Sequence, residues 1–129
     1  MPSGNPMISV PSKVFLLGEY AVLNGAPAWV SAVPPRFELH DKEGGAPFHP
    51  ESPAGKFISG SEKESLGGSF VDPWNGRGGF GGSTAEFALV AYRAGVRSPL
   101  EAWRAYRDLS KHEPEIRRPS GADLVAQWP

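Results

Sequence analysis

Gly76-Arg77-Gly78-Gly79-Phe80-Gly81-Gly82-Ser83-Thr84 is the stretch on which the fold turns, because strands and loops precede it and helices follow it. From Ser83 onward Phe87, Val90, Ala91 and Ala94 recur at the spacing that puts them on one helical face, and Gly95 offers a stop. A second helix is predicted from Ser98-Pro99-Leu100-Glu101. There Ser98 can cap, proline suits the first helical position, and Glu101 completes a capping box. Ala102, Ala105, Tyr106 and Leu109 form its apolar side. A third helical run opens at Pro119-Ser120-Gly121-Ala122-Asp123 and continues through Val125 and Ala126.

Upstream of the glycines, Ile8 to Leu17 is dense in apolar and β-branched residues and reads as a buried strand. Ala26 to Val33 is a second apolar run, followed by Pro34-Pro35 and by Arg36-Phe37-Glu38-Leu39-His40, which alternates as a half-buried strand does. Together these predict an antiparallel sheet. Eleven of the sixteen glycines and four prolines lie between Asp41 and Gly82, so loop is expected there, with short regular pieces near Phe57-Ile58 and Ser69-Phe70-Val71. The expected class is α+β in one domain over residues 1–129.

Composition narrows the function. Thirteen basic and fourteen acidic residues leave a formal charge of −1, which supplies no general field for nucleic acid or an anionic membrane, so any anion site must be local. The absence of cysteine excludes disulfides, thiolate metal sites and a cysteine nucleophile, and fits a cytoplasmic protein. Three scattered histidines do not suggest zinc. No run approaches the roughly 18 apolar residues of a membrane span.

The glycine stretch is suited to phosphate. Glycines admit an anion to the backbone N–H groups, and the following helix contributes unpaired N–H groups and the positive end of its dipole. Ser83 and Thr84 add hydroxyls. The plainer alternative is a flexible turn whose serine caps a helix. Gly76 to Gly81 satisfies G-x-G-x-x-G, but Pro73-Trp74-Asn75 is a poor strand for a dinucleotide fold, and the lysine of a Walker A loop is missing before Ser83. Gly81-Gly82-Ser83-Thr84-Ala85 approaches a serine-hydrolase elbow with His112 and Asp123 downstream, yet Ala85 replaces the last glycine and no strand leads in. Elsewhere, Lys13 starts an apolar run, Gly18-Glu19 closes it, and Asp123 follows Ser120 at capping-box spacing. Each has an ordinary explanation: a snorkelling lysine, a solvated turn acid, a helix cap.

In combination and in this order, Lys13 to Tyr20, Gly79-Phe80-Gly81-Gly82-Ser83-Thr84-Ala85 and Pro119 to Asp123 resemble the GHMP kinase superfamily of galactokinase, homoserine, mevalonate and phosphomevalonate kinases. The second segment is similar to its Gly-Leu-Gly-Ser-Ser-Ala-Ala phosphate loop, with Gly82 in place of the first serine. The resemblance implies a ribosomal protein S5 domain 2-like N-terminal domain and transfer of the γ-phosphate of ATP to a small acceptor of the mevalonate or phosphomevalonate type. It implies ATP and Mg2+ as ligands. Gly78, Gly79, Gly81, Gly82, Ser83 and Thr84 would contact nucleotide, Ser83 would help hold magnesium, Asp123 would be the catalytic carboxylate and Lys13 its neighbouring cation. Glu113 and Glu115 lie near the place of the family's magnesium-binding glutamate, but neither falls on the motif. Family members continue into a second domain, so a truncated form is expected, completed by a complementing C-terminal domain or by self-association. A catalytically silent binding or assembly module is the alternative.

Overall fold

The structure is a computed structural model, and it describes residues 7–17, 29–40, 48–59, 68–114 and 119–129. Among them the order of elements is β1 (Ile8–Leu17), β2 (Trp29–His40), α1 (Pro53–Ser59), β3 (Ser69–Val71), α2 (Gly82–Arg93), α3 (Pro99–Asp108) and α4 (Ala122–Gln127). The strands form one antiparallel sheet in the order β1-β2-β3, which gives the α+β class expected.

β2 runs through Pro34-Pro35 instead of breaking there. Pro11 pairs with Arg36 and Ser12 with Val33, so the two prolines occupy a bulge, where no ladder N–H is required of them. The Ser12 hydroxyl closes the bulge by donating to the Pro35 carbonyl at 2.5 Å. Ala26 to Ala28, at the start of the predicted apolar run, lie outside the described residues.

Helix ends follow their sequence signals. Ser98 accepts hydrogen bonds from the N–H groups of Leu100 and Glu101, with proline in the first turn of α3. At the other end of α2, Gly95 has φ 108°, its N–H donates to the Tyr92 carbonyl, and the Val96 N–H reaches back to Ala91. This is a Schellman ending, which a residue with a Cβ adopts only under strain.

α1 falls in a stretch expected to be mostly loop and contains the short regular piece expected near Phe57-Ile58. Ser52 caps it by accepting from the Gly55 N–H at 3.1 Å, Pro53 opens it, and Phe57 meets Phe87 of α2 edge to face at 5.4 Å. Tertiary packing thus overrides the glycine at its third position. The core joins Val10, Phe37 and Leu39 of the sheet to Ala85, Phe87, Ala88, Leu89, Val90 and Ala91 of α2, with Ala102, Tyr106 and Leu124 from the later helices. α2 is accordingly the central helix, and its N-terminus is held where the sheet and α4 converge.

Candidate functional site

The site begins with the way the glycine loop is fastened at both ends. Asp72 accepts from the N–H groups of Trp74 and Gly76, both at 2.8 Å, and so makes the turn that starts the loop. Trp74 stacks on Phe80 with ring centroids 3.7 Å apart, while its indole N–H donates to Ser12 of β1 at 2.6 Å. The Lys13 N–H then donates to the Phe80 carbonyl at 3.0 Å. Gly76, Gly78 and Gly79, between these anchors, are exposed, and a Cβ on any of them would meet nothing within 4 Å.

Gly81 is confined instead. It is the N-cap of α2 at φ 89°, and an added Cβ would lie 2.5 Å from Gln127 Nε2 and 2.8 Å from Lys13 Cγ. Its carbonyl receives the Ala85 N–H at 2.8 Å, the first bond of the helix. No side chain caps α2, so the first-turn N–H groups of Gly82, Ser83 and Thr84 have no cap acceptor and point back along the helix axis towards the glycine loop. Ser83 is exposed on that turn, and Gly82 leaves only the Phe37 ring, 3.9 Å from a built Cβ, behind it.

Lys13 and Asp123 are brought to the same place. Lys13 Nζ stands 3.7 Å from Asp123 Oδ2, with side-chain exposures of 7% and 20%, and lies 4.6 Å from the centroid of the Phe15 ring. Asp123 Oδ2 is also 3.3 Å from the Thr84 hydroxyl, while Oδ1 accepts the Leu124 N–H at 3.1 Å. Asp123 therefore does more than serve its helix. Its position is set by Gly121, at φ 78°, where a Cβ would come within 2.7 Å of Trp103. Trp103 and Arg107 donate to the carbonyls of Ser120 and Pro119 at 2.8 and 3.0 Å, which fixes the approach to α4. Tyr106 lies buried nearby; burial first, and then the Asp123 charge, push its phenol above the ordinary range, so it stays protonated.

The structure thus gathers Lys13, Gly81, Thr84 and Asp123 and leaves Gly78, Gly79, Gly82 and Ser83 on the open side. Thr84 is turned inward: it is 2% exposed, and its hydroxyl lies 2.6 Å from Gln127 Oε1. Gly18, Glu19, Tyr20 and Glu115 lie outside the described residues. Glu113 is half-buried beside His112 at 3.7 Å, on the stretch that follows α3. Sequence reasoning passed over Ser12, Trp74, Phe80 and Gln127. Only the aromatic pair flanking the glycines was a local signal, since the other contacts are made across the fold.

The open side offers an anion the first-turn N–H groups of α2 and unobstructed glycines, while Lys13 lies behind them, buried and paired with Asp123. Among the described residues no group of three or more His, Cys, Asp or Glu side chains could hold a metal. Magnesium would fit as an ion brought with phosphate oxygens and steadied by Ser83, since it retains waters and needs few protein ligands. No helix among the described residues is long and apolar enough to cross a membrane. Comparison of the chain with protein-family models, curated proteins and solved structures gives no match.

Proposed function

We propose that this chain is the nucleotide-binding, ribosomal protein S5 domain 2-like N-terminal part of a GHMP-type kinase that phosphorylates a small metabolite of the mevalonate or phosphomevalonate type. The observation that carries the reading is the meeting of Lys13 and Asp123 at 3.7 Å beside the N-terminus of α2. Three segments far apart in the sequence, each with an ordinary explanation alone, converge on one place.

When bound, ATP with Mg2+ would supply the phosphoryl group and shield its charge. The first-turn N–H groups of α2 and the exposed loop glycines hold phosphate oxygens, and Ser83 offers its hydroxyl to the metal. In this reading Asp123 Oδ2 accepts the proton of an acceptor hydroxyl, and Lys13 stabilises the developing oxyanion. For a phosphate acceptor no proton need leave, and Lys13 then acts chiefly by offsetting charge between two phosphoryl groups. The test is calorimetry of the full chain with Mg·ATP. Saturable, magnesium-dependent heat is expected, and a folded chain giving none at millimolar nucleotide defeats the reading.

A second reading, a catalytically silent assembly module with the same half-fold, draws on exposed apolar side chains. Leu17 and Trp29 are register partners at the end of the β1–β2 ladder and are 67% and 62% exposed. Such neighbours favour association. Sedimentation of a strict monomer across micromolar concentrations would remove that reading.

A further inference from the structure

Gln127 is fully buried, and its amide reaches three polar groups at once. Nε2 donates to the Pro11 carbonyl of β1 at 2.9 Å and approaches the Gly81 carbonyl at 3.3 Å, while Oε1 faces the Thr84 hydroxyl at 2.6 Å. The orientation of this amide is dictated by its neighbours. Turned over, it would point an oxygen at two carbonyl oxygens, with no proton among the three.

The Thr84 hydroxyl has one proton and three acceptors within reach: Gln127 Oε1 at 2.6 Å, Gly81 O at 3.1 Å and Asp123 Oδ2 at 3.3 Å. The shortest contact takes it. Asp123 Oδ2 consequently faces a hydroxyl oxygen whose proton is engaged elsewhere, and keeps its lone pairs for another donor. Gln127 lies one helical turn after Asp123, on the same side of α4. Gly81 permits the arrangement, because only a residue without a Cβ lets Gln127 Nε2 and the Lys13 stem approach so closely.

We infer that Gln127 is a positioning residue for the Lys13–Asp123 pair: it clamps the glycine loop to β1 and withholds the Thr84 proton from Asp123, leaving Oδ2 free to receive the acceptor's proton. This role rests on the kinase reading, but the hydrogen-bond arrangement beneath it is testable separately. Gln127→Met keeps the volume and removes both amide functions, so the loop loses a tether and the Thr84 proton is left to Gly81 O at 3.1 Å and Asp123 Oδ2 at 3.3 Å, of which the charged carboxylate is the stronger acceptor.

The full chain, labelled with carbon-13 and nitrogen-15, is compared with Gln127→Met, Thr84→Val, Thr84→Ser and the Gln127→Met/Thr84→Val double variant at neutral pH. In Gln127→Met the Asp123 carboxyl-carbon resonance and the Gly81 and Gly82 amide resonances are displaced, and Mg·ATP affinity falls by about tenfold, the equivalent of about 1.4 kcal/mol. The double variant returns the Asp123 resonance towards its original position, and Thr84→Ser matches the unmodified chain. Thr84→Val alone leaves the Asp123 resonance nearly in place. An unchanged Asp123 resonance in Gln127→Met overturns the inference, as does a displacement in Thr84→Val equal to that in Gln127→Met. Should Gln127→Met not fold, the two Thr84 variants decide by the same resonance. A chain whose resonances behave as described but ignore Mg·ATP sinks the kinase reading alone.

Discussion

Lys13 Nζ and Asp123 Oδ2 lie 3.7 Å apart, joining the first strand to the last helix through a largely buried ion pair. Removing one partner leaves the other with an uncompensated charge, which is more damaging than the net contribution of the pair suggests. Lys13→Met should therefore lower stability by about 2–3 kcal/mol, less than a fully buried pair because Asp123 keeps some access to water. Asp123→Asn should lose more, since it leaves the Lys13 ammonium, the more buried of the two charges at 7% exposure, without its counter-charge. Urea denaturation of both variants checks the order, and equal losses would count against a buried pair.

The glycines of the loop differ in what they tolerate. Gly81→Ala places a methyl group against Gln127 and Lys13 at a positive φ, so a loss of about 2 kcal/mol or more is expected. Gly78 has open space and no positive φ, and Gly78→Ala should stay within about 0.5 kcal/mol. Thermal melts of the two variants make the comparison, and similar behaviour would mean the loop is not anchored at Gly81.

Glu86 of α2 gives the chain a pH dependence of unusual sign. Its carboxyl is pushed up to about 7 by burial, and then by the charge of Asp72. Between its unfolded value near 4.5 and about 7, the folded chain holds a proton that the unfolded chain has released. The stability this group confers is thus fully present below about 4.5 and is lost as pH rises to about 7. Glu86→Gln should flatten that stretch of the stability curve and stabilise the chain above neutrality by about 1 kcal/mol, after allowance for the half-exposed site. Melting temperatures across this range test it, and an unchanged slope would refute it.

Phe87 is fully buried and meets both Phe57 and Tyr106. Phe87→Ala should cost about 3–5 kcal/mol, and the loss of α1 packing should appear as faster amide exchange over Ala54 to Ser59. Exchange in α1 that is no faster would mean the helix does not depend on this contact.

Much of this architecture was readable because its signals are local. The apolar density of Ile8 to Leu17, the helical spacing of Phe87, Val90 and Ala91, the Ser98 cap and the Gly95 stop depend on near neighbours in sequence, and each element formed where they indicated. α1 was not legible as a helix because its stability comes from Phe57 against Phe87, a contact between distant residues. The passage of β2 through two prolines was hidden for a related reason: a bulge is defined by the partner strand. At the candidate site, Lys13, Gly81 and Asp123 stood out by residue type and motif order. Gln127 looked like one more polar residue near the end of a short helix, and only its burial against Pro11, Gly81 and Thr84 distinguishes it.

The Asp72 turn and the Trp74–Phe80 stack bear on entropy as well as on shape. Ordering a free backbone residue costs about 1–2 kcal/mol, a charge that a wholly slack glycine loop would meet at every position on closing over an anion. Here the Asp72 carboxylate already holds Gly76, and the stacked rings already fix Phe80, so only the short span between them has conformational freedom to lose. The loop is thereby less slack than its glycine content alone suggests, and its freedom is confined to the span between Gly76 and Phe80.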